Sequence, residues 1–115
     1  MTLVDAMEAH LTNLNIPFAR EFRFHHKRRW RFDFFVAEHN LAIEIEGGVW
    51  TKGRHTRGTG YIGDCDKYNT ATLMGYKVLR FTASHMTKTR IHETLSLIQA
   101  ACGRLDLTDI ENGFL

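Results

Sequence analysis

Apolar residues recur at helical spacing near the amino terminus. Leu3, Met7, Leu11 and Leu14, with Ala6 filling the stripe, predict an amphipathic helix over residues 2–14. Thr2 can cap it, with Asp5 three residues later in an approximate capping box, and Pro17 ends the segment. The period then drops to two. Residues 18–24 predict a strand with Phe18, Phe22 and Phe24 on one face and Ala19, Glu21 and Arg23 on the other. Beyond a polar turn at residues 25–29, Trp30, Phe32, Phe34 and Val36 alternate with Arg31, Asp33 and Phe35. A turn at residues 37–40 leads into a third strand, 41–46, where Glu44 and Glu46 oppose Ile43 and Ile45.

Residues 51–60 carry no apolar period and are rich in Gly, Thr and basic side chains, as a mobile loop would be. Tyr61, Cys65, Tyr68, Ala71 and Thr72 mark one side of a helix over residues 61–74, which Gly75 ends as a C-cap. Residues 76–82 predict a strand, and the adjacent Val78 and Leu79 imply burial on both its faces. A strand, a helix and a strand in succession make a crossover, so this strand should run parallel to the third in a mixed sheet. A last helix starts at Thr87 or Thr89 and turns Ile91, Leu95, Ile98 and Ala101 to the core, with Leu97 and Ala100 widening the face. The order α-β-β-β-α-β-α describes one α/β domain over residues 1–115, its core at 3–101 and a tail at 103–115. That tail is open to three readings: packed, partner-binding or disordered.

The 115 residues suffice for one modest core, and the 43% apolar and 24% charged content is ordinary for a globular chain. No apolar run is long enough to span a membrane, and Met1 opens no export signal. Cys65 and Cys102 lie far apart without metal spacing, so reduced thiols in a cytoplasm are expected. Net charge is only +2, but the basic residues cluster. Arg20, Arg23, Lys27, Arg28, Arg29 and Arg31 surround the first turn with His25 and His26; Lys52, Arg54, His55 and Arg57 form a second group. Two basic runs flanking the same acids suggest a polyanion held there; a solvated positive surface is the plainer alternative.

Register sharpens the acids. If residues 37–40 form the turn, Val36 pairs with Leu41, Asp33 with Glu44, and Arg31 with Glu46. If the preceding turn centres on Lys27, Glu21 falls opposite Asp33, and three acids line up across three strands. Like charges directly opposite destabilise a sheet. A divalent cation would offset the repulsion, since hard carboxylate oxygens suit Mg²⁺ or Mn²⁺. Another register, or neutralisation by Arg31 and other bases, would do so too. Asp64 and Lys67, on adjacent turns of one helix face, read either as a surface ion pair or as a pair supporting the acids.

A strand Asp, a hairpin turn and then a strand Glu44-Ile45-Glu46 resemble the PD-(D/E)xK nuclease superfamily, with the restriction-endonuclease-like αβββαβ core. The run EIEGGVW, then GRH, then DCDKYNTATLMGYKVLR looks more specifically like the branch of very-short-patch repair endonucleases and Glu-Asp-His-Asp homing endonucleases. The likeness covers roughly residues 3–82. It implies that Asp33 is the first-motif Asp, that Glu44 to Glu46 is the (D/E)xK element, and that Glu21 is the extra acid of the preceding strand. It also matches His55 to the loop His and Asp64 to the acid of the following helix. Glu46 stands where the superfamily usually has Lys, Phe32 replaces the usual Pro, and two cysteines cannot make the four-Cys zinc site of the repair enzymes.

The expected activity is metal-dependent hydrolysis of DNA. Asp33 and Glu44 would bind Mg²⁺ or Mn²⁺ with the Ile45 carbonyl, while Glu46 would orient the attacking water or bind a second ion. His55 is a candidate general base or leaving-group acid, and Lys67 would stabilise charge on the transferring phosphorus. Arg23, Lys27, Arg28, Arg29, Arg31, Lys52, Arg54 and Arg57 would hold double-stranded or branched DNA. Cleavage by a homodimer, or structure-selective cutting such as that of a resolvase or nickase, suits so small a domain. That in turn fits a phage or mobile-element enzyme of a bacterial cell, with no membrane and no small-molecule cofactor. The alternatives are a nucleic-acid-binding module that keeps the fold without cleaving, and a structural or toxin-neutralising partner protein.

Overall fold

The structure is a computed structural model and describes residues 1–47, 58–106 and 108. Thr2 caps the first helix, α1 (Leu3–Asn13), in the expected box: its hydroxyl accepts the Asp5 N–H, and its own N–H donates to the Asp5 carboxylate. Met7 and Leu11 are buried one turn apart on its inner face. Three strands follow: β1 (Ala19–Arg23), β2 (Arg31–Val36) and β3 (Leu41–Glu46). A short 3₁₀ turn, Ala37–His39, closes through left-handed Asn40 and brings Val36 opposite Leu41, as the spacing predicts. Helix α2 (Thr59–Leu73) ends at Gly75, whose φ of +91° only glycine adopts without strain. It leads to β4 (Lys77–Thr82), which runs parallel to β3. Helix α3 (Ile91–Ala101) completes the domain.

The sheet order is β1-β2-β3-β4, antiparallel except for the last pair. Two apolar cores flank it. One joins Met7 and Leu11 of α1, Ile98 and Cys102 near α3, and Phe34, Val36, Leu41, Ile43 and Phe81 of the sheet. The other packs Ala71 of α2 against Phe24, Phe32, Phe35 and Ala42. The result is a single α/β domain of three layers, as the element order implies.

The strict alternation expected of the first two strands does not hold. Phe34 and Val36 enter the first core, yet Phe32 and Trp30 pack with the second. Likewise Phe18 meets Phe34 edge-on, while Phe22 stacks on Phe35 and Phe24 on Phe32. Both strands change faces at one level, that of Glu21 and Asp33. Glu21 has φ +51°, which breaks the pleat in β1. In β2 the ladder to β3 stops at Phe34, and side chains take over at Asp33.

In three elements the degree of burial differs from what the spacing predicts. β4 packs on both faces, Leu79 against the first core and Val78 against the second, but it forms an edge of the sheet, so these two are half-buried and only Phe81 is buried. Of the residues marking the inner side of α2, Ala71 alone is buried, and Tyr61 is exposed. In α3, Thr94 and Ser96 are buried beside Ile98; the Thr94 hydroxyl donates to the His85 carbonyl at 2.7 Å, which makes its burial affordable.

Candidate active site

The level at which β1 and β2 change faces is also where the acids meet. The Asp33 N–H donates to Glu44 Oε2 at 2.9 Å, and the Ile45 N–H donates to Asp33 Oδ2 at 2.7 Å. Each carboxylate thus accepts from the backbone of the other's strand. The two acids are cross-strand neighbours, as the hairpin register implies. Glu21 lies opposite Asp33 by count, between the pairs Arg20–Phe34 and Phe22–Phe32, and is exposed.

Glu44 is 5% exposed, so its charge needs partners. Lys67 of α2 reaches its Oε1 at 2.5 Å, and the Tyr68 hydroxyl donates to the same oxygen at 2.9 Å. Consecutive helix residues serve one carboxylate because α2 lies along the second core, with Ala71 a turn further on. Lys67 therefore pairs with Glu44, not with Asp64 as helix spacing alone suggests. Asp64 is exposed, 3.9 Å from the Arg80 guanidinium, at the margin of the cluster.

Asp33 has the weaker support. Burial pushes its carboxyl up to about 6; the charges of Glu44 and Glu21 and the hydrogen bond with Glu44 add to this, against the Ile45 N–H. The Tyr68 hydroxyl is raised by burial and by Glu44, so it stays protonated as a donor. The β2–β3 ladder runs only from Phe34–Ile43 to Val36–Leu41 and does not reach the expected Arg31–Glu46 pair. Instead Arg80 of β4 donates through Nε to Glu46 Oε1 at 2.6 Å, and its Nη2 contacts the same oxygen. The Arg80 guanidinium also lies over the Tyr68 ring, 4.1 Å from its centre.

Tyr68 and Arg80 were not singled out as site residues from the sequence. The signal was present in the parallel register, which sets Arg80 beside Glu44 and on the face of Glu44 and Glu46. Lys52, Arg54, His55 and Arg57 lie outside the described residues. The other basic residues gather at the β1–β2 turn. There His25 Nδ1 accepts the N–H groups of Lys27 and Arg28, and Arg28 stacks 4.2 Å over Trp30. Burial and the neighbouring cations His26, Arg28, Lys27 and Arg23 hold the His25 imidazolium below its usual range.

Among the described residues no group of three or more His, Cys, Asp or Glu side chains forms a metal cage. Mg²⁺ does not require one, since it keeps several waters and takes one or two carboxylates. The donors present fit that demand. The backbone bond to Asp33 falls on Oδ2, and Glu44 carries three donors on about four lone-pair sites. The Ile45 carbonyl belongs to the residue whose N–H already binds Asp33.

The chain shares its fold with a homing endonuclease catalytic domain. The solved catalytic domain of the homing endonuclease I-Bth0305I matches 88% of this chain and 93% of its own, with a TM-score of 0.66 and 21% identity. No family model and no curated protein matches the sequence. The likeness to the homing endonuclease domain is one of chain path; the roles of the side chains rest on the geometry above. No helix among the described residues is long and apolar enough to cross a membrane.

Proposed function

We propose that the chain is a divalent-metal-dependent DNA endonuclease of PD-(D/E)xK type, from the branch that includes very-short-patch repair and homing enzymes. The observation that carries this reading is the Asp33–Glu44 pair: two acids interlocked across β2 and β3, with Asp33 left short of positive charge. The shared fold with a protein described as a homing endonuclease supports DNA as the substrate.

Asp33, Glu44 and the Ile45 carbonyl would hold Mg²⁺ or Mn²⁺. When bound, the ion supplies Lewis-acid polarisation of the phosphate and activates water. In the reaction a water oxygen forms a bond to phosphorus, the bond from phosphorus to one sugar oxygen breaks, and the leaving oxygen takes up a proton while the water loses one. Lys67 holds the buried Glu44 carboxylate in place, and it would set a cation beside the developing negative charge. Glu21 adds negative potential that favours the ion. His55 is the proposed acid–base partner on the grounds of the resemblance. A domain of this size suits nicking or structure-selective cutting, alone or as a dimer.

The test is incubation of supercoiled plasmid and a synthetic four-way junction with the protein in Mg²⁺, Mn²⁺ or EDTA. Metal-dependent nicking or linearisation is expected, and the junction lane reports shape selectivity. Binding without cleavage in any lane would leave a DNA-binding module that keeps the fold. The β1–β2 turn supplies a separate prediction: Arg28→Ala and Arg29→Ala should each weaken binding to all sequences alike. Each should lower the slope of log affinity against log salt by about 1, read by fluorescence anisotropy.

A further inference from the structure

We propose that Arg80 is a catalytic residue that binds the substrate phosphate, and that Glu46 is its anchor. This rests on the nuclease reading above. Glu46 occupies the third place of Glu44-Ile45-Glu46, where the superfamily it resembles usually has a lysine. A third acid there would add repulsion to a site that already holds Asp33 and Glu44. The structure answers that charge from the next strand. Arg80 sits beside Glu44 in the parallel register, and its Nε and Nη2 both meet Glu46 Oε1.

Three contacts fix the guanidinium plane: Glu46 on one edge, the Tyr68 ring at 4.1 Å on one side, and Asp64 at 3.9 Å. Tyr68 in turn bonds Glu44, so the platform under Arg80 is tied to the metal-binding carboxylate. An arginine carries five N–H donors, and two of them serve Glu46. The remainder form a planar fork suited to phosphate oxygens. The two site cations differ in availability. Lys67 is 16% exposed and committed to the buried Glu44, whereas Arg80 is 41% exposed.

The charges then sort by role. Lys67 balances Glu44, Arg80 is held by Glu46, and Asp33 keeps the uncompensated charge that draws the ion. Glu46 gives its charge to Arg80 and so acts as a positioning residue rather than as the base.

A double-mutant cycle tests this on the full chain, with single-turnover plasmid cleavage at saturating Mg²⁺. Arg80→Ala is expected to slow cleavage by roughly 10²-fold, as loss of one transition-state donor does. Arg80→Lys should recover little of it, because an ammonium cannot fork. Glu46→Gln should lose a comparable factor, and Arg80→Ala with Glu46→Gln should be no slower than Arg80→Ala alone. A further drop in the double variant would make Glu46 an independent base or ligand and overturn the anchor role. Wild-type rates in Arg80→Ala and Arg80→Lys, with only the melting temperature lowered, would make Arg80 structural and overturn the proposal. Absence of cleavage by the wild-type protein would overturn the nuclease reading itself and this assignment with it.

Discussion

Asp33→Asn is expected to abolish cleavage while making the metal-free protein more stable at neutral pH. Loss of a ligand removes much of the several kcal/mol that a Lewis acid contributes to the transition state, so the rate should fall by roughly 10³-fold or more. The stability change has the opposite sign. The folded-state carboxyl is pushed up to about 6 from an ordinary 3.8, so the folded protein holds the proton more tightly than the unfolded chain does. The resulting penalty is absent below the unfolded value, grows as pH rises towards the folded one, and is constant above it. Asn at this position still accepts the Ile45 N–H and carries no charge at any pH. Thermal melts in EDTA should therefore show Asp33→Asn above wild type at pH 7, with the gap closing as the pH falls to about 4. Mg²⁺ should raise the wild-type melting temperature and leave that of the variant nearly unmoved. A wild-type melting curve indifferent to both pH and divalent ions would remove the case for an ion at Asp33.

The element order and the Val36–Leu41 and Asp33–Glu44 registers were legible because a short turn and an alternating pattern leave few choices. The parallel place of β4 followed from the crossover rule. What pattern could not supply was the change of faces at Glu21 and Asp33. Phe22, Phe24 and Phe32 look alternately placed with Phe18 and Phe34, and only the positive φ of Glu21 and the side-chain bonds at Asp33 send them to the other core. The cations of the site were legible in part. Helix spacing offered Lys67 to Asp64, a neighbour on its own element. The structure gives it to Glu44, 23 residues earlier, because a buried carboxylate outcompetes an exposed one for a single ammonium. Arg80 was missed for the same reason: its partner lies on another strand, at a separation that local periodicity does not register.

That competition for Lys67 leads to the second large effect. Lys67→Met keeps most of the apolar stem but leaves the buried Glu44 carboxyl without its cation. Removing one partner of a buried pair costs about 3–5 kcal/mol. The loss here should fall near the lower end, because the Tyr68 hydroxyl and the Asp33 N–H still bond Glu44. Neutralising both partners, in Lys67→Met with Glu44→Gln, should recover much of it, since no unpaired charge then remains. Urea denaturation of the wild type, the two single variants and the double variant measures the coupling directly. Mg²⁺ should restore part of the stability of Lys67→Met, because a cation at Asp33 and Glu44 replaces the missing charge, and none in the double variant, which lacks the Glu44 carboxylate. Cleavage separates structure from chemistry. At a temperature where Lys67→Met is folded, its rate should still be roughly 10²-fold below wild type if the ammonium also stabilises the transition state. A folded, Mg²⁺-rescued Lys67→Met that cleaves at the wild-type rate would confine Lys67 to holding Glu44 in place.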